Sequence, residues 1–156
     1  LIYYIIIFDC CMIKNNMVVF GKTIFTSLGN DTVFFIFINY IYRFKYGIPS
    51  DADLVFDVRC LPNPFYVEEL KQHTGLEAPV RDYVLKWDEA RGLEAKLCDL
   101  LDYLIPLYRK EGKSQLVISV GCTGGRHRSV VFAELLKDHL EKIGCVATVQ
   151  HRDMKK

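Results

Sequence analysis

Apolar and polar residues follow the patterns of an α/β domain from residue 43 onward, and three apolar runs typical of strands stand out there. The first, 53–59, ends in polar residues shortly before Pro62 and Pro64, as a buried strand followed by a loop does. The second is Gln-Leu-Val-Ile-Ser-Val at 115–120, and the third covers 145–150. The pattern therefore predicts three buried strands separated by longer segments.

The segments between these strands predict helices. Apolar residues at helical spacing and prolines near helix starts indicate three helices, at 65–73, 79–87 and about 88–110. Pro106 is expected to loosen the last turn of the long helix and Gly112 to end it. A further helix follows the glycine-rich turn at 121–125 and is expected to end at Gly144. Alternating strands and helices indicate an α/β fold with a mainly parallel sheet flanked by helices.

Residues 1–42 differ from the rest of the chain. They carry only four charged side chains but ten of the twenty aromatic ones, without a clean period of 2 or 3.6. Their longest uncharged run, 32–42, is far shorter than the roughly 20 apolar residues of a membrane-spanning helix, so no membrane span is expected. Two interpretations remain, hydrophobic strands of a partly missing domain or a non-native translated segment. We expect the domain boundary between residues 42 and 43.

Composition and charge limit the class of protein. With 156 residues, of which 51% are hydrophobic and 25% charged, the chain suits one domain with a real core and excludes a large multidomain enzyme. The net charge is only +1, but residues 112–156 carry eight basic and four acidic side chains. That local excess suits an anionic ligand or a nucleic-acid backbone, although ordinary solvated helix faces explain it equally well.

Cysteine spacing bears on metal binding and on location. The six cysteines contain no C-x-x-C pair, which argues against a zinc ribbon, and we expect no metal. They are interpreted as thiols of a reducing compartment, so a cytoplasmic location is expected.

The segment with the most chemistry is Gly-Cys-Thr-Gly-Gly-Arg-His-Arg-Ser at 121–129, between a predicted strand and a predicted helix. Its three glycines let backbone N–H groups converge at the positive end of the helix, which is typical of a phosphate-binding strand–loop–helix. Hydroxyl and guanidinium groups can complete such a site. The candidate phosphate ligands are Thr123, Gly124, Gly125, Arg126, His127, Arg128 and Ser129. A glycine-rich turn that binds no ligand is the alternative.

The same loop fits a catalytic hypothesis. Cys122 and Arg128 have the spacing of the C-x5-R-S/T signature of cysteine-dependent phosphatases, in which the thiolate attacks phosphorus and the arginine holds phosphate oxygens. Converging amides would lower the pKa of such a thiol, and Asp57 is nominated as the general acid. Those enzymes usually place His directly before the cysteine, where this chain has Gly121. The match is incomplete, and an inert buried cysteine is the alternative.

Asp57 and Arg59 form a second candidate site. They lie near the C-terminal end of their predicted strand, where α/β sheets usually bind ligands. We expect them to line the pocket wall opposite the 121–129 loop, although a simple salt bridge explains the pair equally well.

Six short segments occur in a distinctive order along residues 43–156. They are FKYGIP at 44–49, DADLVFDVR at 51–59, LPNP at 61–64, TGL at 74–76, GCTGGRHRS at 121–129 and HRD at 151–153. Together they resemble the C-terminal domain of the RapZ (YvcJ) family, bacterial nucleotide-binding RNase adapter proteins. Six ordered segments are far more specific than the spacing of Cys122 and Arg128 alone. The resemblance predicts a RapZ-like C-terminal domain over 43–156.

The resemblance implies a binding module rather than an enzyme. In that family the C-terminal domain binds RNA and a phosphorylated small metabolite, while an N-terminal domain binds ATP or GTP. Residues 1–42 do not resemble that N-terminal domain, so no cofactor is expected in this chain. The implied partners are RNA and the metabolite, with an RNase and further copies of the chain, as a homo-oligomer, as additional candidates. The candidate RNA-binding residues are Arg126, Arg152, Lys155 and Lys156.

Overall fold

The structure is a computed structural model that describes residues 11–14, 17–20, 23–26, 35–43 and 50–151. It divides the chain into two compact units, Leu1–Val33 and Phe34–Lys156. Over the described residues, no helix is both long and apolar enough to cross a membrane.

The smaller unit contains a three-stranded antiparallel sheet. Its strands, in spatial order, are β1 (Cys11–Lys14), β2 (Met17–Phe20) and β3 (Thr23–Thr26). Neighbouring strands along the chain pair directly, with Cys11 opposite Phe20 and Met17 opposite Thr26. The strand segments are rich in β-branched and aromatic residues, which fit a pleated surface.

The larger unit is built on a four-stranded sheet in which all strands are parallel. Its strands are β4 (Phe35–Arg43), β5 (Leu54–Asp57), β6 (Gln115–Cys122) and β7 (Val146–His151). Their order across the sheet is β5-β6-β4-β7. Strands buried on both faces are nearly continuous apolar runs, and β6 is buried over most of its length. The strands predicted at 53–59, 115–120 and 145–150 correspond to β5, β6 and β7.

The strand β4 lies inside this sheet although it precedes the boundary expected between residues 42 and 43. It pairs with β6 on one side and β7 on the other, with Phe35 opposite both Gln115 and Val146. Ile36 and Ile38 are fully buried. The structure therefore starts the larger unit at Phe34. Composition did not indicate this start, because a central strand is an apolar run without the alternation of a half-buried strand.

Three α-helices flank the sheet, and they confirm the α/β fold. They are α1 (Ala78–Leu85), α2 (Asp88–Lys110) and α3 (Arg128–Lys142). The helix predicted at 88–110 matches α2. Gly112 and Gly144, which follow α2 and α3, have φ angles of 88° and 82°, in the left-handed region that favours glycine at helix ends.

The prediction of a helix at 65–73 is wrong. The structure has a 3₁₀ turn at Pro64–Tyr66, followed by irregular turns up to residue 72. The Asn63 side chain begins the turn by accepting the N–H of Phe65 at 3.3 Å. Phe65 and Tyr66 are 48% and 84% exposed, and Leu70 is the one core side chain within 65–73, so little apolar surface would be buried by a helix here.

The core lies where α3 packs against β4, β6 and β7. Its largest fully buried side chains include Ile36, Ile38, Leu116, Ile118, Phe132, Leu136 and Leu140. Both β6 and α3 are therefore firmly packed, and the loop that joins them is held at both ends.

Candidate functional site

The predicted phosphate loop connects the C-terminal end of β6 to the N-terminal end of α3. Gly125 has a φ of 59°, a conformation that favours glycine, and its N–H donates to Sγ of Cys122 at 3.2 Å. The N-cap residue of α3, His127, provides no side-chain cap, and the first turn holds no acidic residue. The first N–H groups of a helix lack intrahelical acceptors and carry the positive end of the helix dipole. The loop therefore leads directly to backbone hydrogen-bond donors at an electropositive helix end.

Arg128, the first residue of α3, is only 3% exposed. Its Nη1 donates to the carbonyl oxygens of Arg59 and Leu61, at 2.9 and 2.7 Å. Its Nη2 lies 3.4 Å from Oγ1 of Thr123, whereas its buried Nε has no hydrogen-bond partner. The guanidinium is therefore fixed by the 59–61 segment and keeps one donor unused.

Cys122 is 2% exposed and lies beneath the loop. Its Sγ shares a 3.2 Å hydrogen bond with Oγ of Ser129, which is fully buried, and accepts the N–H of Gly125. The Ser129 hydroxyl is thus engaged by the thiol. These two hydrogen bonds to one sulfur hold the loop against α3.

Arg126 and His127 connect the loop to residues 70–75. The guanidinium of Arg126 donates to the carbonyl of Gln72, and the Arg126 carbonyl accepts the N–H of Gly75 at 2.9 Å. His127 is 6% exposed, and its Nε2 has no partner. Burial lowers the pKa of His127 and the charge of Arg126 lowers it further, so the ring is neutral at pH 7.

Asp57 and Arg59 lie at the same end of the sheet as the loop. Asp57 is opposite Gly121 in the β5–β6 pair, and the N–H of Val58 donates to the Gly121 carbonyl at 3.0 Å. Nε and Nη2 of Arg59 donate to Asp57 Oδ2 at 2.9 and 2.6 Å. Hydrogen bonding from the Arg59 side chain holds the pKa of Asp57 below its usual value, and the charge of Arg128 acts in the same direction. An ionised Asp57 has no proton to donate, so it does not serve as a general acid in this state.

The structure brings the loop residues 123–129 together with Asp57 and Arg59, joined through the hydrogen bonds of Arg128. Thr123, Gly124 and Arg126 are exposed, whereas Gly125, His127, Arg128 and Ser129 are buried. The remaining predicted residues, Arg152, Lys155 and Lys156, lie outside the described residues.

Sequence reasoning missed the contributions of the 59–75 segment. The carbonyl oxygens of Leu61 and Gln72 carry no side-chain signal, since every residue has such an acceptor. Gly75 is different, because a glycine is visible in the sequence and can mark a close backbone approach. A Cβ there would lie 2.3 Å from the carbonyl oxygen of His127 and 2.9 Å from N of Val131. Only glycine allows the 70–75 segment to approach the first turn of α3 so closely.

Known proteins share most of the sequence of the larger unit. The family model described as the RapZ C-terminal domain matches residues 38–155. A nucleotide-binding protein of Caldicellulosiruptor saccharolyticus is 58% identical over 115 residues, which cover 74% of this chain and 39% of that protein. Nucleotide-binding proteins of Clostridium beijerinckii and Caldicellulosiruptor bescii are 58% and 56% identical, over 72% and 74% of this chain and 38% and 40% of their own lengths.

The chain thus spans about two fifths of the length of these curated relatives. The match begins within β4 and includes the β6–α3 loop, Asp57, Arg59 and Gly75. It covers most of the larger unit and three quarters of the chain. The chain belongs to the RapZ C-terminal domain family.

Proposed function

We propose that the 121–129 loop binds phosphate, both in a phosphorylated small metabolite and in RNA. The observation that carries this proposal is Arg128, a buried cation at the positive end of α3 whose Nε has no partner. An unsatisfied buried donor costs about 1–3 kcal/mol, and a cation at a helix N-terminus is unfavourable as well. A bound phosphate would relieve both costs.

Different groups of the loop would contact different parts of the ligand. Backbone N–H groups of 123–128 would hold the phosphate oxygens, together with Nε and Nη2 of Arg128 and the hydroxyl of Thr123. Ser129 would contribute through Cys122, because its hydroxyl is already bonded to that sulfur. Asp57 and Arg59 would line the opposite wall, where the ionised carboxylate accepts hydrogen bonds from the rest of the ligand and repels a second phosphate.

RNA would reach the same end of the sheet through its phosphates. Arg126 is exposed there, and Arg152, Lys155 and Lys156 continue the basic sequence after β7. Such contacts position RNA without reading its sequence. We propose that the domain is the RNA- and metabolite-binding part of a cytoplasmic, RapZ-like RNase adapter that forms homo-oligomers. Binding of ATP or GTP is proposed only for the N-terminal domain of the family, not for this domain.

The test is RNA retention or gel shift at about 50 and about 200 mM salt, with a sugar phosphate as competitor. Gly124→Ala is the informative variant, because its new Cβ meets nothing within 4 Å and enters open space at the loop. Gly92→Ala, equally open but on α2, is the control. We expect salt-sensitive binding that the sugar phosphate and Gly124→Ala weaken and that Gly92→Ala leaves unchanged. Equal binding by all three proteins, without competition, would contradict the proposal.

A second candidate function is a cysteine-dependent phosphatase. The observation in its favour is Cys122 Sγ, which accepts the N–H of Gly125 at 3.2 Å, while Arg128 follows in the sequence at the C-x5-R spacing. The ionised Asp57 argues against it. Turnover of an aryl phosphate that is lost in Cys122→Ser, but kept in the exposed-thiol control Cys60→Ser, would support the enzyme. Absence of turnover in the unaltered protein would rule out the phosphatase function.

A further inference from the structure

Two aromatic side chains are exposed side by side on the 3₁₀ turn Pro64–Tyr66. Phe65 is 48% exposed and Tyr66 is 84% exposed. Their ring centroids are 6.0 Å apart with the ring planes at 78°, an edge-to-face pair. Aromatic rings carry large apolar surfaces that folding normally buries, so an exposed pair is a candidate contact surface.

The backbone that carries the pair is fixed. Pro64 is buried, and its carbonyl accepts the N–H of Val67 at 3.0 Å. The Asn63 side chain accepts the N–H of Phe65, and the Asn63 carbonyl accepts the N–H of Tyr66 at 3.2 Å. Rings presented on a fixed turn lose little conformational entropy when a ligand stacks on them.

Both ends of the segment that carries the pair are held by arginines of the 121–129 loop. Arg128 donates to the carbonyl of Leu61 at one end, and Arg126 donates to the carbonyl of Gln72 at the other. Phe65 follows Leu61 by four positions, a distance of at most about 14 Å along the chain. The aromatic pair therefore lies within a few nucleotides' reach of the phosphate site.

A cation accompanies the rings. Nζ of Lys71 lies 5.3 Å from the centroid of Phe65 and 3.7 Å from Oε2 of Glu68. The Glu68 side chain is 86% exposed, so this ion pair is weak and Lys71 can turn towards another anion. Exposed aromatic faces next to a lysine are the combination that holds single-stranded nucleic acid, with bases on the rings and phosphates on the cation.

We propose that Phe65 and Tyr66 form a stacking platform for an unpaired RNA base, with Lys71 at the adjoining phosphate. This proposal rests on the RNA binding proposed above and narrows it to RNA with unpaired nucleotides in a loop, bulge or end. In a continuous double helix the base faces are stacked inside and cannot reach the rings.

Tyr66→Ala tests the platform, since removing an 84% exposed side chain leaves the core intact. Tyr103→Ala is the matched control, because Tyr103 is 69% exposed on α2. Binding is measured for two RNAs with equal numbers of phosphates, a hairpin with an unpaired loop and a blunt duplex. We expect Tyr66→Ala to weaken hairpin binding about five- to 150-fold, the effect of losing one stacked base, and to leave duplex binding unchanged.

The salt dependence separates stacking from charge. In Tyr66→Ala, hairpin affinity should fall by the same factor at every salt concentration, whereas Lys71→Gln should reduce the slope of log affinity against log salt by about 0.7. Tyr66→Trp should retain the affinity, because indole also stacks. The new tryptophan should be quenched on binding, whereas the unaltered protein, whose only tryptophan is Trp87, should show no such quenching.

The outcomes distinguish the two proposals. If Tyr66→Ala binds the hairpin as tightly as the unaltered protein while Gly124→Ala binds it weakly, the platform is overturned and the phosphate loop stands. In that case the exposed aromatic pair would be assigned to contact with a protein partner instead of RNA. If the unaltered protein binds neither RNA, the platform and the RNA-binding part of the proposed function both fail, and metabolite binding is judged from the thermal shift with sugar phosphate.

Discussion

The N-terminal ends of α2 and α3 are built differently although both helices lack a side-chain cap. The first turn of α2 contains Asp88 and Glu89, both exposed, whose negative charges complement the positive end of the helix dipole. The first turn of α3 contains no acid, starts with the cation Arg128 and is buried. The end of α2 is therefore neutralised within the helix, whereas the end of α3 remains electropositive.

This difference separates a helix end whose dipole is balanced by its own acidic residues from one whose dipole is not. The chain compensates α3 through packing, since Val130, Val131 and Phe132 are buried directly after Arg128. Hydrogen bonds from Arg128 to the 59–61 segment and from Arg126 to Gln72 add to that compensation. Rigidity at the start of α3 thus comes from tertiary contacts, and no acidic residue of the first turn balances the positive end of the helix.

The largest expected effect comes from a methyl group added where the start of α3 is most crowded. Gly75→Ala would place a Cβ 2.3 Å from the His127 carbonyl oxygen and 2.7 Å from Cβ of Val130. Because one obstacle is backbone, the segment must shift, and we expect a loss of about 3 kcal/mol in the free energy of unfolding, the upper end for overpacking. Urea denaturation measures it.

The matching substitution on α2 provides the control. Gly92 lies in the exposed interior of α2 with nothing within 4 Å of a new Cβ. Gly92→Ala should therefore raise the free energy of unfolding by roughly 0.5–1 kcal/mol through helix propensity. Equal effects of the two substitutions would show that the start of α3 is no more constrained than the surface of α2.

The sequence predicted α2 better than it predicted the surroundings of α3. The bounds of α2 follow from local signals, namely leucines at helical spacing and Gly112 at the end. Local signals also placed the loop at the start of α3 and named its ligand candidates. They could not show that Arg128 is bound to carbonyl oxygens 67 and 69 residues earlier in the chain. Such pairings depend on tertiary structure, as does the inclusion of β4 in the sheet.

A smaller effect is expected from pH, through His127. Burial and the charge of Arg126 lower the pKa of His127 in the folded state, so the unfolded chain binds more protons than the folded one below the ordinary histidine value. The contribution of the neutral ring is fully present above about pH 6.5 and is lost as the pH falls towards the lowered value. The start of α3 should thus weaken in mild acid.

The pH effect is measured by urea denaturation between about pH 7 and pH 5, with His127→Gln as the comparison. All other ionisable side chains are the same in the two proteins, so the comparison isolates the His127 ring. The free energy of unfolding should therefore decline more steeply in the unaltered protein than in His127→Gln. Parallel pH profiles would show that the buried ring contributes nothing to the difference between the two helix ends.

The smallest effect comes from exchanging the charges of the two helix ends. Glu89→Gln removes one acid from the first turn of α2 and should lower the free energy of unfolding by about 0.3–1 kcal/mol at low salt. Added salt should reduce this loss, because the side chain is exposed. Lys96→Gln, an exposed position further along α2, is the control and should show no comparable loss.

The reverse change gives the α3 end an anion of its own. Thr123 is exposed, and its Oγ1 lies 3.4 Å from Nη2 of Arg128, so Thr123→Asp places a carboxylate next to that guanidinium. We expect a gain of about 0.3–1 kcal/mol in unfolding free energy, together with loss of the rise in melting temperature that sugar phosphate causes. Thr123→Val keeps the shape of the threonine side chain but has neither a hydroxyl group nor a charge. It should lower phosphate affinity without the gain in stability. If Thr123→Asp is stabilised and still responds fully to the sugar phosphate, the positive end of α3 is not where the phosphate binds.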